Sequence, residues 1–231
     1  MLVINLQAAT DRLYYMRQQL AGGFERIEAV RGSDLPDHLV PYFPTDGRLG
    51  DGEIGCYASH LLAAEQVLAR KLPYAVILED DVEIDDDLQE VVARSVATLR
   101  HWDVISLSGA KQHPHIAISN LNQARSLVRY LHFPKTTAAY VLSHSGSRKL
   151  LRPRRRIRPI DVDMRYGWEM GLDAYGVYPP PARQSGRFVS SIPKPGRRFY
   201  WRADPLGYVL GRLSGMRRLG VFNAIRWLAM R

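Results

Sequence analysis

The sequence predicts an α/β fold in which a mixed, mostly parallel central sheet is flanked by helices. Over the first 110 residues, short apolar runs rich in strand formers alternate with helical segments, which is typical of parallel strands joined by right-handed crossovers. One such run, residues 74–78, is followed at once by three carboxylates, Glu79, Asp80 and Asp81. Because ligands of open α/β sheets bind at the carboxyl ends of strands, this run indicates a buried strand that ends at a binding site.

The predicted elements are separated by residues that cap or break helices. Thr10 is a suitable N-cap for the first helix, which stops at Gly22-Gly23, and Pro73 closes the second helix. Residues 110–125 are predicted to be irregular and mobile, and residues 179–181 to end the folded body. The elements are, in order, a strand over 2–6, a helix over 11–20, a strand over 24–30, a helix over 52–70, the strand over 74–78, a helix over 88–99, strands over 103–108, 127–133 and 137–143, a helix over 144–151 and a last strand over 177–179.

Length and composition are those of a soluble globular domain with a basic tail. The 231 residues are 46% hydrophobic and 24% charged. The formal charge of +9 lies entirely in residues 186–231, where ten Lys/Arg face Asp204 as the single acid. We therefore expect a domain over 1–185, whose halves at about 1–110 and 111–185 form two walls of a cleft, and a separate tail over 186–231.

The tail interleaves aromatic side chains, among them Trp201 and Trp227, with its arginines. A basic, aromatic-bearing helix of low intrinsic stability suits an anionic membrane surface, and the alternative is a solvated tail or one packed on the domain. Nucleic acids also attract basic segments. The chain has no recognisable helix-turn-helix, RNA-binding sheet motif or zinc module, so no nucleic acid partner is expected.

Cysteine content and apolar runs bear on the compartment. Cys56 is the single cysteine, so an internal disulfide and a multi-cysteine zinc site are excluded. Residues 1–6 lack the basic region and the length of a signal peptide, and no run of about 18 apolar residues occurs. We expect a cytoplasmic protein, peripheral at the inner face of the cytoplasmic membrane through its tail.

The acidic triplet is the strongest chemical signal in the sequence. Three adjacent carboxylates repel one another, and burying them unpaired is costly, but a cation with oxygen ligands removes both problems. The alternative is an acidic loop that faces water, because Glu83 and residues 85–87 continue the acidic run. Spacing alone leaves both interpretations open.

Four motifs in order resemble those of glycosyltransferase family 25, the lipopolysaccharide-type galactosyltransferases that also include collagen galactosyltransferases. The resemblance covers about residues 1–185 and implies a GT-A-like nucleotide-sugar-binding fold. It also implies transfer of a hexose, commonly galactose from UDP-galactose, with inversion and usually with manganese. The motifs are Val3-Ile4-Asn5-Leu6 followed by Asp11-Arg12, Gly52-Glu53-Ile54-Gly55-Cys56 with Ser59-His60, Leu78-Glu79-Asp80-Asp81-Val82, and Pro159-Ile160-Asp161.

The resemblance implies a role for each acidic residue of the third motif. Asp81 is the expected direct ligand of Mn²⁺ or Mg²⁺, a hard cation that needs only one or two carboxylates. Asp80 and Glu79 are expected to contact water, the ribose or a neighbouring donor group. The sequence is Glu-Asp-Asp where the GT-A pattern is Asp-x-Asp, so contact between Glu79 and the metal stays open.

The first two motifs are expected to bind the nucleotide-sugar donor. Asn5, Asp11 and Arg12 stand at the first βα connection, where the planar fork of an arginine suits a pyrimidine carbonyl or a phosphate. The alternative for Asp11 and Arg12 is an ordinary helix-start pair. Ser59 and His60 are expected in the wall of the donor pocket, with neither His60 nor Cys56 as a nucleophile; a packed, hydrogen-bonded histidine is the alternative.

Inversion requires a base that takes the proton of the acceptor hydroxyl. Asp161, Asp163 and Glu169 are the candidates in the second half, and Asp161 matches the fourth motif. If residues 160–163 are extended, Asp161 and Asp163 share one face. The alternative for both aspartates is pairing with the basic run over residues 148–158.

Together these features predict an inverting, metal-dependent hexosyltransferase. Its expected donor is a UDP-sugar, most simply UDP-galactose, and its expected acceptor a hydroxyl of lipopolysaccharide, lipooligosaccharide or another surface glycan. The alternatives are a catalytically inactive sugar-nucleotide-binding protein and, with less support, a basic nucleic-acid-binding protein. Nucleotidyl transfer would require a Gly-rich phosphate loop, and the sequence has none.

Overall fold

The structure, a computed structural model, describes residues 1–109, 115–188, 209–211 and 213. The β-strands are β1 (Leu2–Asn5), β2 (Glu25–Glu28), β3 (Tyr74–Glu79), β4 (Val82–Ile84), β5 (Val104–Ser106), β6 (His115–Asn120), β7 (Ser126–Tyr130), β8 (Ala139–Ser143), β9 (Ala174–Tyr178) and β10 (Ala182–Gln184). The α-helices are α1 (Thr10–Gln19), α2 (Asp51–Ala69), α3 (Leu88–Thr98), α4 (His144–Leu150) and α5 (Ile160–Arg165), and short 3₁₀ helices occur at Val40–Tyr42 and Gly167–Met170.

Eight strands form one mixed sheet in the order β2-β1-β3-β8-β5-β9-β7-β6. The pairs β1–β2, β1–β3 and β5–β9 are parallel, whereas β8 pairs antiparallel with both β3 and β5, and β7 with both β9 and β6. Only β7 and β8 therefore run against the other strands of this sheet. A second sheet consists of β4 and β10, paired antiparallel. The predicted α/β class with a mixed, mostly parallel sheet flanked by helices is confirmed.

Both faces of β1 and β3 are buried, which explains why these strands are apolar up to their last residues. Side chains alternate along a strand, so Leu2, Ile4 and Ile77 pack in one core cluster with α2. Val3 and Leu78 pack in the opposite cluster, together with residues of α1 and α3. A polar residue can enter these strands only at their ends, and that is where Asn5 and Glu79 lie.

Most predicted elements occur within a few residues of their expected bounds, but four regions differ. Residues 115–120 were expected to be irregular and form β6, and residues 182–184 form β10 beyond the prolines expected to end the body. The short strand β4 was not predicted. Residues 160–163 belong to helix α5 and are not extended, so the expected shared face of Asp161 and Asp163 is wrong.

Most of the tail, including Trp201 and Trp227, lies outside the described residues. In the described part of the chain, none of the helices combines the length and the apolar content that a membrane span requires.

Candidate functional site

A cavity of about 740 Å³ lies at the carboxyl ends of β1 and β3 and beside the first half of α2. Its lining includes most of the donor-binding and metal-binding residues that the sequence predicts: Arg12, Ser59, His60, Glu79, Asp80 and Asp81. Segments far apart in the chain are thus brought together as the topology of an α/β sheet requires. Of the remaining predicted donor-binding residues, Asn5 is buried beneath this lining, and Asp11 is exposed on the first turn of α1.

Asn5 and Arg12 hold the carboxylate of Asp80. The Nδ2 group of Asn5 donates to Oδ2 of Asp80 at 2.7 Å and to the carbonyl of Ala9 at 3.0 Å. Nη1 of Arg12 donates to Oδ1 of Asp80 at 3.0 Å. Oδ1 of Asp80 therefore accepts a charge-assisted hydrogen bond and Oδ2 a buried one. This geometry makes Asn5 a residue that positions Asp80.

Asp81 is the least satisfied carboxylate in the cavity. It is buried, and its Oδ1 has no hydrogen-bond partner among the described residues, while Nη1 of Arg12 lies 3.8 Å from Oδ2. Burial, together with the negative charges of Glu79 and Asp80, raises the pKa of Asp81 to about 6, although Arg12 and a hydrogen bond from Gln184 act in the opposite direction. An unpartnered carboxylate oxygen among further carboxylates is the donor set that a hard divalent cation requires, so these residues fit Mn²⁺ or Mg²⁺.

Glu79 belongs to a different hydrogen-bonded group. Its Oε1 accepts from the hydroxyl of Thr137 at 2.8 Å and lies 3.3 Å from Nε2 of His60, whose Nδ1 is 2.9 Å from the hydroxyl of Tyr140. Burial alone would raise the pKa of Glu79, but the hydrogen bonds from His60 and Thr137 and the charge of Arg12 lower it below its usual value. Glu79 is thus held as a carboxylate by partners other than those of Asp81.

The close approach of α2 to the segment after β2 explains the glycine of the second motif. A Cβ atom at Gly55 would lie 2.6 Å from the carbonyl oxygen of Val30 and 2.9 Å from the amide of Gly32. Ser59 fixes the same contact, because its hydroxyl donates to the carbonyl of Gly55 at 2.7 Å and accepts from the amide of Val30 at 3.0 Å. Ser59 lines the cavity, but its hydrogen bonds serve to place the helix that forms the cavity wall.

Asp161 and Asp163 lie in different environments. Asp161 is half-buried on the first turn of α5, and burial raises its pKa, as do the charges of Glu79 and Glu53, while the amide of Val162 and the charge of Lys135 lower it. The carboxylate of Asp163, in contrast, is fully buried. Of these two aspartates, only Asp161 therefore keeps part of its side chain exposed.

The partners of Asp163 are those of a structural ion pair. Nε of Arg158 donates to Oδ1 at 2.9 Å, and Oδ2 accepts from Arg154 and, at 2.9 Å, from the hydroxyl of Tyr57. Arg158 and Arg154 also pair with Glu169. Asp163 thus pairs with the basic run over residues 148–158, which was the alternative to a catalytic role. The prediction that Asp163 is catalytic is wrong, because its carboxylate is buried and both of its oxygens accept hydrogen bonds from these partners.

The last residue of β10 and the chain that follows it cross the acidic site, a feature that sequence patterns did not predict. The amide of Ser185 donates to the carbonyl of Asp81 at 2.7 Å, and Gln184 lines the cavity. The ring of Phe188 lies 5.2 Å from the guanidinium carbon of Arg12 and 5.4 Å from the ring of Tyr15. Residues 184–188, which we call the strap, therefore join the end of the domain to its binding site.

Comparisons with known proteins identify relatives of the domain. The profile described as Glycosyltransferase family 25 (LPS biosynthesis protein) matches residues 1–165. The chain is 35% identical over 136 residues to "Probable inactive glycosyltransferase 25 family member 3" of Rattus norvegicus. The matched region covers 55% of this chain and 23% of that protein. The chain is also 28% identical over 143 residues to "Procollagen galactosyltransferase 1" of Danio rerio. That matched region covers 59% of this chain and 23% of that protein. The chain thus spans about a quarter of the length of these relatives.

Among solved structures, mannose-1-phosphate geranyltransferase from Thermus thermophilus matches with a TM-score of 0.36 and 11% identity, over 80% of this chain and 58% of that one. A match of this extent carries no argument about function. The family profile, by contrast, covers all four motifs and most of the domain. The chain therefore belongs to glycosyltransferase family 25.

Proposed function

We propose that this protein is an inverting, metal-dependent hexosyltransferase that moves galactose from UDP-galactose to a hydroxyl of a surface glycan. The observation that carries the proposal is the cavity in which Arg12, Asp80 and the unpartnered oxygen of Asp81 converge at the carboxyl end of β3. A nucleoside diphosphate is a polyanion, and an arginine together with a cation-binding carboxylate supports its binding and departure.

The chain's own groups would divide the work as follows. Asp81 would hold Mn²⁺ or Mg²⁺, which supplies Lewis acidity toward the diphosphate leaving group. Arg12, fixed against Asp80, would orient a phosphate or the uracil through its guanidinium group. His60 and Glu79, already hydrogen-bonded to each other, would present a polar wall to the sugar.

Asp161 is the proposed general base. Its raised pKa strengthens its attraction for a proton, and an acceptor hydroxyl loses that proton as it attacks the anomeric carbon. It lies on the first turn of α5, close enough to Glu79 and Glu53 of the cavity lining for their charges to act on it. Asp163, on the same helix, anchors α5 to the domain through its contacts with Arg154, Arg158 and Tyr57.

We also propose the acceptor class and the location. A lipopolysaccharide or lipooligosaccharide acceptor would lie in a membrane, and the net charge of +9 carried by residues 186–231 would attract the enzyme to the anionic inner face of the cytoplasmic membrane. Each Lys or Arg near such a surface contributes about 1 kcal/mol at low screening. A nucleic acid partner has no support in the motifs of the domain.

A second candidate function is sugar-nucleotide binding without turnover. It is favoured by the relatives from Rattus norvegicus and Homo sapiens, whose names describe inactive proteins and which are 35% and 34% identical to this chain. The complete acidic triplet and its open carboxylate oxygen favour the active enzyme.

The deciding experiment combines donor binding with turnover. Purified protein is incubated with a panel of UDP-hexoses, Mn²⁺ and a bacterial lipid extract, and UDP release and glycolipid mass are measured. We expect release with UDP-galactose that EDTA abolishes. Asp81→Ala should abolish it too, whereas the exposed Asp86→Ala should retain it, which separates a metal ligand from general acidity of this region. Donor binding without release under every condition would select the inactive alternative.

The role of Asp161 needs its own variant. Asp161→Asn removes basicity with little change in volume, so kcat should fall about 10²- to 10⁴-fold while donor affinity stays close to that of the wild type. Near-native kcat in this variant would contradict the assignment and leave Glu169 as the remaining candidate.

A further inference from the structure

Three side chains of different chemistry meet in the wall of the cavity. The Sγ of Cys56, a ring nitrogen of His60 and a carboxylate oxygen of Glu79 all lie within 4.8 Å of one another. All three residues line the cavity, so a fourth position is open to water or another ligand. Neither the family motifs nor the reaction assigns a role to this thiol.

The fold places these groups together for a definite reason. Cys56 and His60 are one turn apart on α2, so their side chains point to the same side of the helix. Glu79 is the last residue of β3, which packs against that helix. Because the glycine contact at Gly55 fixes the depth of α2, the separation of the three groups is set by backbone packing.

The surrounding hydrogen bonds are of the kind that orient metal ligands. The hydroxyl of Tyr140 lies 2.9 Å from Nδ1 of His60 and can act as donor or acceptor, so it supports either tautomer of the ring. With Nδ1 protonated and donating to Tyr140, the lone pair of Nε2 is directed toward Glu79, which Thr137 holds at 2.8 Å. Such outer partners fix both the tautomer and the orientation of the ring.

We propose that Cys56, His60 and Glu79 form a three-ligand site for a zinc-class divalent cation, separate from the hard-cation site at Asp81. Sulfur, imidazole and carboxylate together favour a borderline-soft ion, whereas Mn²⁺ and Mg²⁺ favour oxygen. Tetrahedral zinc with bonds of about 2.0–2.3 Å sets its ligand atoms about 3.4–3.8 Å apart, which the present spread meets after a side-chain shift of about 1 Å.

Binding at this site is an exchange of one cation for one proton. The thiol of Cys56 loses its proton to solvent, and the thiolate donates an electron pair to the metal. The proton on Nε2 of His60, which bridges to Glu79, is exchanged through solvent for one on Nδ1, so the hydrogen bond is replaced by two coordinate bonds and one proton is released in all. The bound ion would occupy groups proposed to face the donor sugar. We therefore expect it to compete with UDP-galactose, a consequence that rests on the proposed function, although the site itself does not.

Cobalt(II) is the probe of choice, because it reports thiolate ligation without any assay of turnover. Titration of the metal-free full-length protein should give a thiolate-to-cobalt charge-transfer band in the near ultraviolet and visible bands of four-coordinate intensity, saturating at one equivalent and lost on addition of Zn²⁺. Cys56→Ser should lose the charge-transfer band. Tyr140→Phe should keep the spectrum but weaken binding about 10- to 100-fold.

Two controls keep the result decisive. Asp81→Asn should lose Mn²⁺ binding and retain the cobalt spectrum, and a variant that loses both would overturn the separate site. Because Cys56 is the single cysteine, mass spectrometry of wild-type protein after alkylation gives a second readout that needs no variant. Loss of alkylation with Zn²⁺ but not with Mn²⁺ supports the site. Equal alkylation with both ions, or a cobalt spectrum without a thiolate band, refutes it, whether or not the protein transfers sugar.

Discussion

Adjacent carboxylates with opposite effects on stability offer a sharp test of the acidic site. The substitutions are Asp81→Asn and Asp80→Asn, each measured by urea unfolding in EDTA. Asp81 is buried, and one of its oxygens has no partner in the described part of the chain. Both oxygens of Asp80, in contrast, accept hydrogen bonds, from Asn5 at 2.7 Å and from Arg12 at 3.0 Å. Removing the charge of Asp81 should stabilise the metal-free protein, and removing that of Asp80 should destabilise it.

The magnitude follows from the pKa of Asp81, which rises from 3.8 to about 6 in the folded protein. At about 1.4 kcal/mol per pKa unit, this rise corresponds to at most about 3 kcal/mol against the charged form. Water in the cavity screens part of this cost, and the variant loses the attraction of Arg12 at 3.8 Å, so we expect a gain of about 1–2 kcal/mol at pH 7. For Asp80→Asn we expect a loss of about 1–3 kcal/mol.

The pH dependence has a definite sign. Because the native pKa of Asp81 is raised, the cost of its charge is absent below the unfolded value of 3.8 and complete above about 6. The stability difference between Asp81→Asn and wild type should therefore grow between pH 4 and pH 6 and stay constant above that range. Saturating Mn²⁺ should reverse the order, since it stabilises only the protein that retains its ligand.

Three results would refute this reasoning. A variant Asp81→Asn that is less stable than wild type at pH 7 in EDTA would show that the charge is already compensated. A difference that does not vary between pH 4 and pH 6 would remove Asp81 as its source. Equal stabilisation of Asp81→Asn and wild type by Mn²⁺ would place the metal elsewhere.

Other features of the structure give further predictions. Gly55→Ala should cost about 1–3 kcal/mol, because its Cβ would lie 2.6 Å from a backbone carbonyl, whereas Gly22→Ala, with 3.7 Å to a flexible side chain, should be nearly neutral; thermal unfolding compares them. Asp163→Asn should lower the free energy of unfolding by about 3 kcal/mol, because it removes the buried one of the two carboxylates that pair with Arg154 and Arg158; urea unfolding measures this, and a loss below about 1 kcal/mol would contradict the structural role. Flotation should show salt-sensitive binding to anionic but not neutral vesicles, lost on truncation after Phe188; equal recovery with both lipids would exclude the membrane role.

Local patterns were sufficient for the elements whose two faces are buried. The apolar run that became β3 and the acidic triplet at its end are adjacent in sequence, so their position required no knowledge of long-range contacts. The parallel pairing of β1 with β2 and β3 followed from the alternation of strands and helices. The contributions of Tyr140, Gln184 and Phe188 were not predicted, because each reaches the site through pairing between segments distant in sequence.

The error at residues 160–165 has a physical cause. A short helix that buries Ile160, Val162, Asp163 and Met164 is enclosed on most sides, so its apolar residues show no 3.6-residue period. The sequence Ile-Asp-Val-Asp-Met alternates apolar and polar residues, a pattern that predicts a strand. Asp163 can be buried because Arg154 and Arg158 pair with it. The sequence does not show that these arginines pair with Asp163 and not with Asp161, because that depends on the folded structure.

The strap also defines a path for mechanical force. Tension applied to the chain beyond Phe188 acts first on the ring contacts with Arg12 and Tyr15, next on the amide of Ser185 bonded to Asp81, and then on the β10–β4 pairs. Tension that reaches Phe188 from the carboxyl-terminal side therefore pulls on the acidic site before it loads the central sheet. Immobilisation through the amino terminus loads β1 instead, between β2 and β3 in the interior of the sheet. The direction from which the chain is pulled thus decides whether the force acts first on the acidic site or on the central sheet.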